Sequence, residues 1–442
     1  MRILVTGQCS LHLGRLENGN IGNYYITETL FRELHRVFPS AEIRTTFQMS
    51  ETFCRQENVF VLPMELFYGW TSEDLTTALK EYGIAELYER TQKLFDSTPF
   101  LEEVIHCDLF VDFSGEMWGY HADLVGKDRF LIGLLKDRVA QLMGKPTVLL
   151  AGSQGRFPDP KIKLFAKEVF ENFTLVANRE CETGKLLELD GFSTNNLRNY
   201  ACPAFLFEPS TDEREIQAIL EKEGVLHAQI PTVGCVICGF NMREGPYNKW
   251  PRDDAEYLPF VEAIEHLMTQ YKVRIVLLSH SNGFERVPEF KLVPGRDYPI
   301  IKQLFEILIK RGKVDSKRLV CVRNPYPPKF MKAIIGKFDM FVSGRLHASV
   351  AATSQQVPTV VIMHGHQQIS HKTVGFFDIL GMPECVADPT SESLLARIDY
   401  CWNHRDVLRK HLQQRMPEVK QLAQRTFDDL KELATHANQQ HT

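Results

Sequence analysis

Arg345 and His347 flank a single leucine in the stretch KFDMFVSGRLHASVAATSQQVPTV, residues 337–360. An apolar run from Phe338 to Val342 stops at Ser343-Gly344, and after the imidazole come the small residues Ala348, Ser349, Ala351 and Ala352. The pattern predicts a buried strand giving way to a helix that packs closely. A guanidinium at a strand's carboxyl end, beside the positive start of a helix, suits a carboxylate or phosphate, which its planar fork can grip through two hydrogen bonds. An imidazole with an ordinary pKa of about 6.5 can give or take a proton near neutral pH. The pair describes a site for a small anion in proton-coupled chemistry.

The same half repeats the pattern at other strand ends. VGCVICGFNMREG puts Arg243 just past a strand, VRIVLLSHSNG puts His280, Ser281 and Asn282 past the next, and TVVIMHGHQQISHK supplies His364, His366 and Lys372. A lone strand-end histidine is more often structural, but this succession of cations and imidazoles describes a pocket for a densely charged anion. In the first half, Asn20, Gly22 and Asn23 precede a helix whose free N–H groups could hold an anion or a sugar oxygen; neither a Walker A nor a G-x-G-x-x-G motif accompanies them. LFVDFSGEMWGYH ends a strand with Asp112, Gly115, Glu116 and Trp118. A carboxylate beside an aromatic platform suits a sugar, while the same residues also read as a capped helix start with a core tryptophan. Ser153, Gln154 and Arg179 mark further strand ends, and Arg179 with Glu180 reads as a bridge between elements.

Elements of a definite kind must position these groups. Runs rich in Val, Ile, Leu and Phe alternate with amphipathic helical segments in two sets, the second starting near residue 232, which predicts two parallel sheets covered on both faces. FEPSTDEREIQAILEKEG marks the boundary, giving an N-terminal α/β domain over 1–207 and a second over 230–390. Residues 391–442 read as helix, with Val419, Leu422, Ala423, Thr426, Phe427, Leu430 and Leu433 forming one apolar stripe that packs back. The fold class expected is α/β, two doubly wound Rossmann-like domains with a C-terminal helical segment. With 442 residues, a net charge of −5 and ten scattered cysteines, the chain is no general nucleic-acid binder and fits a reducing compartment. No zinc-type spacing accompanies Cys235-x-x-Cys238, so no metal is expected. MRILVTG opens directly on a strand and no apolar stretch approaches the roughly 18 residues of a membrane span, giving the expectation of a cytoplasmic protein with, at most, peripheral membrane contact.

At these residues the chain resembles the polysaccharide pyruvyl transferase family, most specifically through SGRLHASVAA followed by VPTVVI. NGNIGNYYITETL, DLFVDFSGEMWG, GSQGRF, VANRECETGKLL, VGCVICGFNMR and HKTVGFFDILGM are similar to further family segments, over about residues 2–385. The resemblance implies a two-lobed fold like that of GT-B glycosyltransferases. It also implies transfer of pyruvate from phosphoenolpyruvate (PEP) to a saccharide hydroxyl pair as a ketal, with release of phosphate and no cofactor. Carried over to this chain, it makes Arg243, Arg345, Leu346 and His347 donor contacts, joined by His280 and Lys372, with His347 as general acid. Glu116, with Asp112 in reserve, would serve the acceptor hydroxyl, and Asn20, Gly22, Asn23, Asp112, Gly115, Glu116 and Trp118 would bind a free or lipid-linked saccharide of exopolysaccharide or cell-envelope synthesis. Asn23, Arg156 and SGEMWG depart from the family pattern, which puts the acceptor in question. Two other readings stay open: a nucleotide-sugar glycosyltransferase on the same scaffold, and a non-catalytic anion-binding protein.

Overall fold

The computed structural model describes residues 1–8, 17, 19–225, 229–285, 288–365 and 371–440; His366 lies outside them. The chain forms two compact units. One comprises Met1–Glu17, Thr27–Pro203 and Gln421–Thr442; the other comprises Asn18–Ile26 and Ala204–Lys420.

The first unit holds strands β1 (Arg2–Thr6), β2 (Glu42–Thr45), β3 (Val59–Val61), β4 (Leu109–Asp112), β5 (Thr147–Gly152), β6 (Leu175–Asn178) and β7 (Leu197–Asn199). They make one sheet in the order β3-β2-β1-β4-β5-β6-β7, with every pairing parallel. Each residue of β4 and β5 is buried, as a sheet covered on both faces requires, which explains why these strands read as unbroken apolar runs.

The second unit holds β8 (Thr232–Val236), β9 (Arg274–Leu277), β10 (Asn282–Glu285), β11 (Lys291–Pro294), β12 (Leu319–Cys321), β13 (Met340–Ser343), β14 (Thr359–Ile362) and β15 (Val386–Ala387). Six make a parallel sheet in the order β12-β9-β8-β13-β14-β15, and β10 pairs with β11 as a separate antiparallel ribbon. In each sheet the order reverses once, between β1 and β4 and between β8 and β13. In open α/β sheets the crevice outside such a reversal, at the strands' carboxyl ends, is where ligands sit.

The helix Arg405–Gln440 closes the described chain and carries Pro417 within it. Val419, Ala423, Thr426, Phe427 and Leu430 are buried along one stripe, with Leu422 and Leu433 half-buried. Among the described residues no helix is long and apolar enough to cross a membrane.

Candidate functional site

The reversal in the second sheet is stitched together by a residue that sequence reasoning passed over. Asn241, buried just past β8, donates through Nδ2 to the carbonyl of Gly344 at 3.1 Å and receives the Cys238 N–H on Oδ1 at 3.0 Å. Its Nδ2 also lies 3.4 Å from the carbonyls of Ile362 and Met363 past β14. One carboxamide therefore satisfies groups at the ends of three strands. It approaches Gly344 so closely that a Cβ there would lie 2.0 Å from Asn241 Oδ1, so only glycine fits before Arg345.

Arg345 follows as the N-cap of helix Leu346–Thr353, whose Ala348, Ser349, Ala351 and Ala352 are buried, as expected of a helix packed tightly on a sheet. Its guanidinium is already engaged. Nε donates to Asp297 Oδ2 at 2.6 Å and Nη2 to Asp297 Oδ1 at 2.5 Å, with 13% of the arginine side chain and 1% of the aspartate exposed. Burial works against the charge on Arg345, but the Asp297 carboxylate outweighs it and pushes the guanidinium pKa upward. Asp297 also receives the His280 backbone N–H at 3.2 Å. An aspartate in the first turn of a helix such as Asp297–Arg311 is ordinary, so nothing local in the sequence discloses its partner.

His280 is fully buried, and burial, followed by the nearby Arg345 and His347, pushes its imidazole pKa well below the usual value. Its Nε2 lies 3.3 Å from the Tyr25 hydroxyl, and Tyr25 in turn stacks on Phe207 at 4.5 Å between ring centroids. The expectation that His280 contributes a donor-binding cation is therefore corrected: it is a neutral packing group behind Arg345. Lys372, 6% exposed in helix His371–Leu380, has its pKa pushed down to about 7 by burial, so near neutrality it carries a partial charge rather than a standing one.

His347 is half-buried, with its ring edge-on to Phe376 at 6.4 Å. Its other neighbour comes from far away in sequence. Helix α1 (Ile21–Val37) begins beside it, and a Cβ on Gly22 would lie 2.6 Å from His347 Cβ and 2.7 Å from Nδ1. Asn20 holds this helix start, accepting the Gly22 N–H at 3.1 Å and bonding to Asn23 Oδ1 at 3.3 Å, and it bridges to Ser281. Asn20, Gly22 and Asn23, assigned by sequence to the acceptor side of the first half, thus belong to the second unit, and Gly22 packs on the imidazole of His347. Beside Arg345 an aromatic ladder completes the wall. Phe240 stacks on Tyr247 at 4.5 Å and on His364 at 5.2 Å, with the Arg345 guanidinium carbon 5.9 Å from the Phe240 centroid. Leu346 is half-buried at the helix start, and Arg243 is exposed just past the Asn241 turn.

The first unit rearranges the other expectations. Trp118 is 2% exposed, and its ring packs among Phe130, Phe157, Phe170 and Phe173 at 5.5–6.2 Å, donating its N–H to Asp137 at 3.2 Å. It is core, not a sugar platform. Asp112 is wholly buried, with burial pushing its pKa up to about 6, and is no reserve base for an acceptor. Gly115 is buried at a positive φ of 59°. Glu116 keeps 36% of its side chain exposed, 3.9 Å from Arg179 Nη2. Arg179 itself donates to Ser153 Oγ at 2.8 Å, which accounts for two of the polar strand ends.

Comparison with known proteins fits this geometry. The chain is 22% identical over 422 residues to the amylovoran biosynthesis protein AmsJ of Erwinia amylovora, covering 90% of this chain and 91% of that protein. Among solved structures it is similar to a glycosyltransferase from Rickettsia africae, with a TM-score of 0.58, 10% identity and 98% of each chain covered. It is also similar to HepE of Anabaena in complex with UDP, with a TM-score of 0.53, 12% identity and 97% and 100% covered. The fold is that of the GT-B glycosyltransferases, two parallel-sheet α/β domains with a helical C-terminal segment. The model of one family matches residues 20–366, spanning the start of α1, the Asn241 turn and the Arg345–His347 segment, and the chain belongs to that family, the polysaccharide pyruvyl transferases.

Proposed function

We propose that the chain transfers pyruvate from PEP to a pair of hydroxyls on a saccharide used in exopolysaccharide synthesis; its relative AmsJ is an amylovoran biosynthesis protein. The observation that carries this reading is the pairing of a fixed guanidinium, Arg345, with a half-buried imidazole two residues on, at the sheet's reversal and within the family match. Arg345 meets the anionic donor, and exposed Arg243 adds charge from the neighbouring strand end. His347, protonated, gives its proton to the methylene carbon of PEP, turning the adjacent carbon into an oxocarbenium-like centre. A saccharide hydroxyl attacks that centre and gives up its proton to a general base. Phosphate then leaves with the electrons of its C–O bond, and the second hydroxyl closes the ketal as its own proton is released. Acid–base help of this kind is worth roughly 10²–10⁴-fold in rate.

The test is phosphate release from PEP with a panel of saccharides, alongside PEP binding by calorimetry. Arg345→Ala is expected to lose PEP binding, and His347→Ala to keep binding while losing turnover by at least about 100-fold. Unchanged PEP affinity in Arg345→Ala would overturn the donor assignment. Stabilisation of the wild type by UDP and not by PEP would favour a nucleotide-sugar glycosyltransferase instead.

A further inference from the structure

We propose that Asp297 is the positioning residue that sets the Arg345 guanidinium for the anionic donor, an assignment resting on the donor reading above. The five N–H groups of a guanidinium make two forked edges, one from Nε with Nη2 and one from the two terminal nitrogens, and leave one Nη1 N–H beside Cδ. Asp297 takes the Nε–Nη2 edge with both carboxylate oxygens, and Nη1 makes no hydrogen bond among the described residues. The incoming anion therefore meets the terminal edge, led by Nη1, and the direction of that edge is dictated by Asp297.

Asp297 is itself held. It sits in the first turn of helix Asp297–Arg311, where the helix dipole favours a carboxylate, and its Oδ2 takes the His280 N–H as well as Arg345 Nε. Among the described residues the other side chains packed here supply no second acid: burial pushes the His280 imidazole well below its usual pKa, the Cys238 thiol is pushed up to about 11 by burial, and Phe240 faces the guanidinium carbon. Asp297 is thus the acidic partner fixing this arginine. Two roles make opposite predictions. A positioning carboxylate keeps the cation oriented and reduces the cost of holding it out of water, so its loss weakens anion binding. A competing carboxylate occupies the cation in place of the donor, so its loss tightens binding.

The experiment compares wild type, Asp297→Asn and Asp297→Glu in calorimetric titrations with PEP, inorganic phosphate and UDP, with melting curves to confirm folding. Asp297→Asn is expected to weaken PEP binding at least tenfold and raise the KM for PEP while leaving the KM for the saccharide within about twofold; Asp297→Glu restores most of the loss. A purely structural role would lower the melting temperature and leave the affinity of the folded protein unchanged, which would overturn the proposal, as would tighter binding in Asp297→Asn. If wild type binds UDP and not PEP, the donor reading fails, and weaker UDP binding in Asp297→Asn still supports the positioning role. If wild type binds none of the three anions, both fall.

Discussion

Position 22 shows how tightly the chemistry depends on one absent side chain. A methyl group there would sit 2.6 Å from His347 Cβ and 2.8 Å from Cγ, well inside van der Waals contact, so either the imidazole or the start of α1 must move. Displacing a proton donor by about 1 Å costs on the order of 100-fold in rate. Gly22→Ala is therefore expected to cut turnover by about that factor while PEP affinity, carried by Arg345, changes less than about threefold; steady-state kinetics with a parallel binding titration reads both. Normal turnover in the variant would show that the imidazole position is not critical. The residues on either side of this contact were legible for different reasons. Arg345 and His347 announce themselves because a strand end, a glycine and a run of small residues lie next to them in sequence. Gly22 read as part of an acceptor-binding helix start and Asp297 drew no reading, because their partners are supplied only by the fold.

At the scale of elements, strands were readable and the surroundings of their ends were not. Buried parallel strands must be apolar throughout, so β4, β5, β13 and β14 stand out in the sequence. Whether a polar residue at such an end faces a ligand or the core depends on packing across the sheet, and LFVDFSGEMWGYH was ambiguous for that reason. The helix Arg129–Leu142 decides it by bringing Asp137 up to Asp112 and Trp118. Both carboxyls are 0% exposed, and among the described residues Asp112 Oδ2 and Asp137 Oδ1 have no partner outside the pair, so burial favours their protonated forms. Burial pushes Asp112 up to about 6, and burial with the Asp112 charge beside it pushes Asp137 well above the usual carboxyl value. Between the ordinary carboxyl pKa and about 6 the folded protein keeps a proton that the unfolded chain has lost, so stability contributed by this pair falls as pH rises through that window. Asp112→Asn keeps an acceptor for the Ser114 N–H, bonded at 2.8 Å in the wild type, and adds an N–H for Asp137. The melting temperature of the variant should match wild type near pH 4 and exceed it by a margin that grows up to about pH 6, as scanning calorimetry would show. A pH-independent difference would mean that Asp112 does not titrate in this window.

Over the whole molecule, the last helix has the least regular place in the two-unit plan. Residues through Lys420 cluster with the second unit and those from Gln421 onward with the first. Within the second unit Arg409 donates to the Asp339 carbonyl at 3.1 Å and Arg415 to the Ile379 carbonyl at 2.9 Å. Within the first, Asp428 accepts from Arg36 at 2.8 Å and Asp429 from the Tyr200 hydroxyl at 2.7 Å. The 3–4 spacing of Val419 to Leu433 was enough to see an apolar stripe, since helical periodicity is local, but not which unit would cover it. Exposed ion pairs such as Arg36–Asp428 contribute little, about 0–1 kcal/mol, so the stripe must supply most of what holds the segment down. Phe427 is its largest fully buried member, at 0% exposed, and truncating a buried phenylalanine costs about 3–5 kcal/mol. Phe427→Ala should lower stability by that amount in urea unfolding, whereas Asp428→Ala on the neighbouring surface should lower it by less than about 1 kcal/mol. Equal, small effects from both would mean that the segment beyond Lys420 is not part of the cooperative fold, and the first unit would then end at Pro203.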